Sequence, residues 1–116
     1  MSETYAYDNL LVGSDFVTDT GTLVSGQTLK RGAALGKITT GGKLTQLDST
    51  KSDGSQTPYA ILAADCDASG GDKSCALYKF GEFSSGHVGF TGSDTAATHK
   101  EGFRDVGIYL KDTIAA

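Results

Sequence analysis

The sequence predicts a single, mainly β domain with short hairpins, one short helix near its C-terminal end and an extended N-terminal arm. Three observations support this prediction. Gly, Ser and Thr make up more than a third of the 116 residues, which favours turns over long helices. Short β-prone runs alternate with glycine-rich turns along most of the chain. A chain of this length forms one domain with one modest hydrophobic core.

The arm is predicted to span residues 1–20, and the β-rich domain residues 21–116. The whole net charge of −4 lies in the arm, which contains acidic residues but no Lys or Arg. It also holds more large apolar and aromatic side chains than a solvated tail needs, so we expect it to bind a partner. These side chains are Tyr5, Tyr7, Leu10, Leu11, Val12, Phe16 and Val17. A disordered terminus is the alternative.

Charge and hydropathy exclude several classes of partner. Residues 21–116 hold equal numbers of acidic and basic residues, so the body lacks the clustered positive charge that nucleic acid requires. The longest apolar runs, such as residues 60–64, are far shorter than the roughly 20 residues of a membrane-spanning helix. Met1 is followed by Ser2 and Glu3 rather than by a basic start and an apolar stretch, so we expect no signal peptide.

The first predicted hairpin lies within residues 37–47. Two β-prone runs flank Gly41 and Gly42, and a two-residue type I′ turn needs positive φ at both central positions. With that turn, Ile38 pairs with Thr45.

A second, central hairpin is predicted from residues 59–64 and 76–80, which are rich in apolar side chains. If the chain reverses at residues 69–72, Cys66 and Cys75 fall opposite each other, at a separation that a disulfide accepts. A one-residue change of register would put them on opposite faces. Synthesis in a reducing compartment favours free thiols. Buried free thiols and a disulfide formed later therefore both stay open.

The one predicted helix begins at Ser93 or Asp94, either of which can accept a hydrogen bond from the first-turn N–H groups. Residues 95–101 tolerate a helix, and Gly102 should end or weaken it. Residues 106–110 are predicted to form the last strand.

The sequence contains no recognisable catalytic, metal or cofactor motif. His87 and His99 are twelve residues apart, which is not a metal-ligand spacing. The acidic residues around Cys66 lack the fuller oxygen-ligand pattern of a calcium loop. The glycine-rich stretches do not form a phosphate-binding loop, and no G-x-S-x-G elbow occurs. We therefore predict no enzyme activity, no bound metal and no cofactor.

The order of four segments carries more information than any single motif. They are S-G-Q-T-L-K-R-G-A-A-L-G (residues 25–36), Y-A-I-L-A-A-D (59–65), L-Y-K-F-G-E-F (77–83) and G-I-Y-L (107–110). This order resembles the bacteriophage head decoration proteins related to the lambda head-stabilising protein. In that family an "IL" strand with an acidic end, a Y-K-x-G-x-F strand and a C-terminal helix-then-strand follow one another. The resemblance covers residues 21–112.

The resemblance implies a β-tulip body that forms a homotrimer on the outer surface of an expanded phage head, at pseudo-threefold axes. The arm would contact the major capsid protein, and the trimer would stabilise the head against the pressure of packaged DNA. The protein would be a late protein of the virion, made and assembled in the host cytoplasm. Candidate trimer contacts are Phe83, Val88, Phe90 and Phe103, with core packing as the alternative for each.

The alternative function is a different phage structural or host-binding β module, such as a carbohydrate-binding domain. Sugar-binding platforms usually present exposed aromatic side chains. A chain with no Trp and five Tyr fits that class less well. The decoration hypothesis differs from it by predicting binding to expanded heads and none to unexpanded shells.

Overall fold

The computed structural model describes residues 10–11, 16–92 and 94–111. These residues form eight strands and one α-helix, so the predicted mainly β fold with one helix late in the chain is confirmed. The strands are β1 (Val17–Leu23), β2 (Thr28–Leu29), β3 (Ala34–Lys37), β4 (Leu44–Gln46), β5 (Pro58–Leu62), β6 (Cys66–Asp67), β7 (Lys73–Ser84) and β8 (Ile108–Lys111). Helix α1 (Ala96–Asp105) lies between β7 and β8 in the sequence.

Five strands close into a small barrel in the order β1-β4-β3-β5-β7, because β1 pairs with both β4 and β7. The length of β7 makes this closure possible, since its first part pairs with β1 on one edge and with β5 on the other. Its end, residues 81–84, continues past the barrel and pairs in parallel with β8. The short strands β2 and β6 form a separate two-stranded ribbon.

The core consists of two clusters of buried side chains. One fills the barrel with aliphatic and small side chains, among them Leu23, Leu35 and Leu77. The other joins α1 and β8 to the sheet and holds the large aromatic side chains. Its members are Leu10, Ala34, Leu47, Ile61, Tyr78, Phe83, Val88, Phe103, Ile108 and Leu110.

The first hairpin, formed by β3 and β4, is present but is paired two residues away from the predicted register. Thr45 pairs with Gly36 rather than with Ile38. Gly41 and Gly42 do adopt positive φ, 89° and 74°. The turn is longer than two residues, because the Gly42 N–H donates to the Ile38 carbonyl.

The central hairpin, formed by β5 and β7, pairs Ile61 with Tyr78. The predicted register instead required Cys66 to face Cys75, but Cys66 pairs with Leu29 of β2. The backbone of Cys66 therefore pairs with β2 and not with Cys75, although the two thiols remain neighbours in one core cluster. Both cysteines are buried and free, which is the first of the two alternatives left open above.

Helix α1 begins one residue later than predicted and continues through its glycine. Its N-cap is Thr95, whose side chain accepts a hydrogen bond from the Thr98 N–H at 3.2 Å. Gly102 does not end the helix, which runs on to residue 105. A Cβ at Gly102 would lie 3.0 Å from Pro58 Cγ, so the glycine permits close packing of α1 on β5.

Strand β1 includes four residues that the sequence assigned to the arm. It runs antiparallel to β7, with register partners from Val17 opposite Phe80 to Leu23 opposite Lys73. Only Leu23 at its end is fully buried, so the strand has no alternating apolar pattern that a sequence could reveal. The predicted boundary after residue 20 therefore falls inside a barrel strand, and the folded body includes residues 16–20.

At Gly36, strand β3 lies directly against the backbone of Ser55 in the loop before β5. Replacing Gly36 therefore tests the packing of the barrel. A Cβ at Gly36 would overlap the Ser55 carbonyl and lie 2.7 Å from Ser55 Cα. Because backbone atoms cannot move aside cheaply, we expect Gly36→Ala to lower the free energy of unfolding by about 2–3 kcal/mol. Urea denaturation measures this change.

The matched control is Gly86→Ala, where an added Cβ would meet nothing within 4 Å. We expect this variant to stay within about 0.5 kcal/mol of wild type. Equal stability of the two alanine variants would contradict the close approach of Gly36 to Ser55.

Candidate functional site

Three described residues of the predicted arm, Leu10, Leu11 and Phe16, pack against the protein's own core. Leu10 is only 2% exposed and belongs to the aromatic cluster. Its carbonyl accepts a hydrogen bond from the Ser84 N–H at 2.7 Å, and Leu11 forms a bridge with Phe83 on the same edge of β7. Phe16 meets Tyr78 edge-to-face, with ring centroids 5.4 Å apart. The side chains of Leu10, Leu11 and Phe16 thus have a partner within their own domain.

The fold gives the seven predicted capsid contacts different surroundings. Leu10 is buried in the aromatic cluster and Leu11 and Phe16 pack against it, so their use as capsid contacts stays a prediction. Val17 is 54% exposed and remains available. The predicted anchors Tyr5, Tyr7 and Val12 lie outside the described residues.

The four candidate trimer contacts belong to the core or pack against it. Phe83 and Phe103 are completely buried, and Val88 is almost so. Phe90 is half-buried against the same cluster. The structure thus shows core packing, the stated alternative, for these side chains, and their role as trimer contacts stays a prediction.

The most exposed large apolar side chains of the described residues are Val17, Phe80, Val106 and Tyr109, which we call the exposed patch. Val17 lies opposite Phe80 on neighbouring strands, and the rings of Phe80 and Tyr109 meet edge-to-face at 6.4 Å. Val17, Phe80 and Tyr109 thus lie on β1, β7 and β8, and Val106 follows the end of α1. Contiguous exposed apolar surface of this kind marks a contact site.

A bulge in β7 explains why the exposure of Phe80 could not be predicted from the sequence. The register shifts by one residue where Val17 pairs with Phe80 and the next residue of β1 pairs with Tyr78, which leaves Lys79 as the extra residue. Strict alternation would place Phe80 on the same face as Tyr78. The bulge instead turns Phe80 outward and Phe83 into the aromatic cluster.

The described residues contain no evident site for a bound metal. Nowhere among them do three or more His, Cys, Asp or Glu side chains gather as they would around a metal ion. Within the same part of the chain, no helix has the length and apolar character needed to cross a membrane.

The comparison with protein families places these features in a known context. The family model of the bacteriophage lambda head decoration protein D matches residues 1–108. The chain belongs to this family. The match begins at residue 1, so the family pattern includes the N-terminal segment that the sequence resemblance did not cover. No curated protein sequence matches the chain significantly.

Membership of the head decoration family supports a role in decorating a phage capsid and a location in the virion capsid. The family is structural rather than enzymatic. Capsid decoration requires two features of the chain: surface that contacts the capsid, and a body that stays folded under load. The polar links described next belong to the body of this head decoration protein.

One link joins the loop after β4 to the start of α1. The Asp94 carboxylate accepts a hydrogen bond from the Ser49 hydroxyl at 2.5 Å and another from the Ser49 N–H at 2.9 Å. His99 Nε2 lies 3.3 Å from the same carboxylate, and the Phe90 ring stacks on the His99 imidazole. Asp94 and His99 are both buried. A serine, an aspartate and a histidine here form a structural link, because the serine bonds to the aspartate and not to the histidine.

A second link joins the turn before β3 to the barrel. The Arg31 guanidinium donates to the Ala63 carbonyl at 2.9 Å and to the Tyr78 hydroxyl at 2.6 Å. The Arg31 N–H donates to Asp65 Oδ1 at 2.7 Å. This role of Arg31 was not predictable from the sequence, because its partners lie more than 30 residues away along the chain.

The environment of Cys75 keeps its thiol protonated. Burial raises the pKa of the Cys75 thiol to about 11, and the neighbouring Cys66 adds to the effect. Since the thiolate is the reactive form, Cys75 stays protonated and unreactive at neutral pH.

Removing the charge of Asp94 tests the first link. We expect Asp94→Asn to lower the free energy of unfolding by about 1 kcal/mol at pH 7, because the N–H and hydroxyl of the exposed Ser49 lose the charge of the buried carboxylate that accepts their hydrogen bonds. Urea denaturation measures the loss. Asp105→Asn, at the exposed end of α1, is the control and should stay close to wild type.

The effect of Asp94→Asn should also depend on pH. The Ser49 hydrogen bonds hold the pKa of Asp94 below its ordinary value of 3.8. A carboxyl group whose pKa is lowered by folding stabilises the protein above its unfolded pKa, and this contribution disappears as the pH falls. The difference between wild type and Asp94→Asn should therefore be full above about pH 5 and shrink below about pH 4. A difference that stays constant down to pH 3 would contradict this account.

Proposed function

We propose that this protein binds as a homotrimer to the outer surface of an expanded phage head, at pseudo-threefold axes. There it contacts the major capsid protein and holds neighbouring subunits together against the pressure of packaged DNA. The protein would be made late and assembled in the host cytoplasm. The observation that carries this proposal is the family match over residues 1–108, which includes almost the whole chain.

The capsid-contacting part of the arm is reduced to residues 1–9 by the burial of Leu10. This segment holds Tyr5 and Tyr7 between the acidic residues Glu3 and Asp8. An extended segment of this kind can add a strand to an exposed sheet edge of the capsid protein, where backbone hydrogen bonds supply affinity and alternate side chains supply specificity. The acidic residues favour a capsid site with Lys or Arg beside an apolar pocket.

The way in which Leu10 is held allows the arm to transmit force to the body. Its carbonyl is bonded to Ser84 at the end of β7, and its side chain lies in the aromatic cluster. A pull on residues 1–9 therefore reaches the longest strand of the barrel directly. Three arms on one trimer would also bind with higher avidity than one, because the second and third engage at a high effective concentration.

A second candidate for the surface between copies is favoured by exposure, because Phe83, Val88 and Phe103 are buried in the core. The exposed patch of Val17, Phe80, Val106 and Tyr109 is the apolar surface that remains among the described residues. Burying it between copies would remove the largest exposed apolar side chains from water.

The proposal is tested by mixing the purified protein with expanded heads and with unexpanded shells of its phage and imaging both by electron microscopy. We expect added density at the threefold positions of expanded heads and none on unexpanded shells. Decorated heads should also keep their DNA to a higher temperature than undecorated heads. Absence of binding to expanded heads, or equal binding to both particles, would contradict the proposal.

A further inference from the structure

Among the described residues, no strand pairs with the outer edge of β8. β8 pairs with β7 on one side and is the last strand of its sheet among the described residues. A free strand edge presents unpaired N–H and C=O groups that can pair with an extended segment. This edge is therefore a candidate acceptor for a further strand.

A groove of about 410 Å³ runs beside this edge, between β8 and α1. It is lined by Lys100 and Arg104 of α1 and by Tyr109, Leu110 and Lys111 of β8. Lys100 and Arg104 are four residues apart in the helix, so they project from the same face. We call these five residues the β8 groove.

The basic side chains of the β8 groove are available to an acidic ligand. Lys100 is exposed and forms no ion pair within the described residues. Arg104 and Lys111 each lie 3.7 Å from an acidic side chain, Glu101 and Glu82. These two pairs are solvent-exposed, so they are weak and a better-placed carboxylate can replace them.

The N-terminal segment of the chain has the composition that this groove accepts. Residues 2–9 carry Glu3 and Asp8 and no basic side chain. Thr4, Tyr5 and Tyr7 favour extended backbone. In a strand, Glu3 and both tyrosines would share one face, which suits a surface that combines Tyr109 with Lys111.

We propose that, in protein not bound to a head, residues 2–9 of one copy lie along β8 in the β8 groove of a neighbouring copy. The proposal rests on the proposed function, because the same segment is the capsid-binding arm. The β8 groove and the capsid would then compete for residues 2–9, so the arm leaves the groove when the protein binds a head.

The geometry favours a neighbouring copy over the same copy. Leu10 and Leu11 lie along one edge of β7, and β8 occupies the other edge, since Phe83 pairs with both Leu11 and Leu110. The chain's own arm would have to cross three strand spacings, roughly 14 Å. At about 3.3 Å per residue this crossing takes at least four residues, which would include Tyr7 and Asp8.

An exchange of this kind gives each copy one donor segment and one acceptor groove. Such a head-to-tail contact closes into a ring when the rotation between copies allows it. The arrangement is compatible with a trimer, and it adds contacts to the exposed patch because Tyr109 belongs to both surfaces.

Charge reversal in the full-length protein tests the proposal by analytical ultracentrifugation. In the double variant Lys100→Glu/Arg104→Glu, like charges face the arm, so we expect the dissociation constant for self-association to rise at least about tenfold. Glu3→Lys/Asp8→Lys should have the same effect. Combining all four changes in one chain restores opposite charges and should return the constant to near wild type. Lys30→Glu/Lys51→Glu is the matched control, because both lysines are exposed and outside the β8 groove.

Two outcomes would overturn the proposal: self-association of Lys100→Glu/Arg104→Glu equal to that of the control, or no recovery in the fourfold variant. Thermal unfolding of every variant verifies that it is folded. Decoration of expanded heads separates this proposal from the proposed function. Lys100→Glu/Arg104→Glu should decorate heads at least as well as wild type, since its arm is already released. Failure of the wild-type protein to decorate would contradict the proposed function while leaving the groove test valid.

Discussion

At concentrations too low for copies to associate, deleting residues 2–9 should leave the stability of the protein unchanged, whereas deleting residues 2–17 should destabilise it by more than about 4 kcal/mol. The longer deletion removes Leu10 and Phe16 from the aromatic cluster and the first residue of β1. Domains of this size have a total stability of roughly 5–15 kcal/mol, so the longer deletion should produce a marginal or unfolded protein. Urea denaturation followed by circular dichroism measures both.

A pair of point substitutions separates loss of packing from loss of chain length. Leu10→Ala should cost about 2–4 kcal/mol, because the leucine is buried and its removal leaves a cavity. Val17→Ala, at an exposed position of the same segment, should cost less than about 1 kcal/mol. If the protein lacking residues 2–17 were as stable as the protein lacking residues 2–9, Leu10 and Phe16 would not be part of the folded body.

Replacing Phe83 by alanine should lower the free energy of unfolding by about 3–5 kcal/mol, the range for a large aromatic side chain lost from a core. Phe83 is fully buried and packs against Tyr78, with ring centroids 5.3 Å apart. Phe80, on the same strand, is 42% exposed, so Phe80→Ala should cost about 1 kcal/mol or less. The two variants differ in which face of β7 the phenylalanine occupies, since Phe83 is buried and Phe80 is exposed.

The same pair distinguishes core residues from contacts between copies. If Phe83 formed a surface between copies, its replacement would weaken self-association and leave the isolated fold intact. We expect the reverse: Phe83→Ala lowers the urea midpoint, and Phe80→Ala weakens self-association. Equal urea midpoints for the two variants would contradict the assignment of Phe83 to the core.

The barrel strands were predictable where apolar runs and glycine turns define them. Residues 59–62 are nearly all apolar because β5 is buried in the centre of the sheet. Gly41 and Gly42 marked a turn correctly, since both need positive φ. Register was not predictable, because hydrogen bonds such as that from Gly42 to Ile38 lengthen the turn. A shift of two residues keeps every side chain on its predicted face, so the pattern contains no signal against it.

The candidate site was predictable in composition but not in placement. The acidic and aromatic side chains of the arm predicted a segment that contacts a partner, and the family match includes this arm. The sequence did not show that the arm joins the core at Leu10, because this contact depends on the edge of β7 beside Phe83 and Ser84. That edge becomes visible only once the fold is known. The β8 groove depends in the same way on the distance between α1 and the last strand.

The central claim is that the arm has two parts. Leu10, Leu11 and Phe16 complete the core of the folded body, and residues 1–9 bind the capsid. Cosedimentation of expanded heads with wild-type protein and with the variant lacking residues 2–9 tests it most directly. The account predicts that wild type pellets with the heads and that the truncated protein, still folded, stays in the supernatant. Equal recovery of the truncated protein with the heads would show that the capsid is bound by the body alone and would contradict the account.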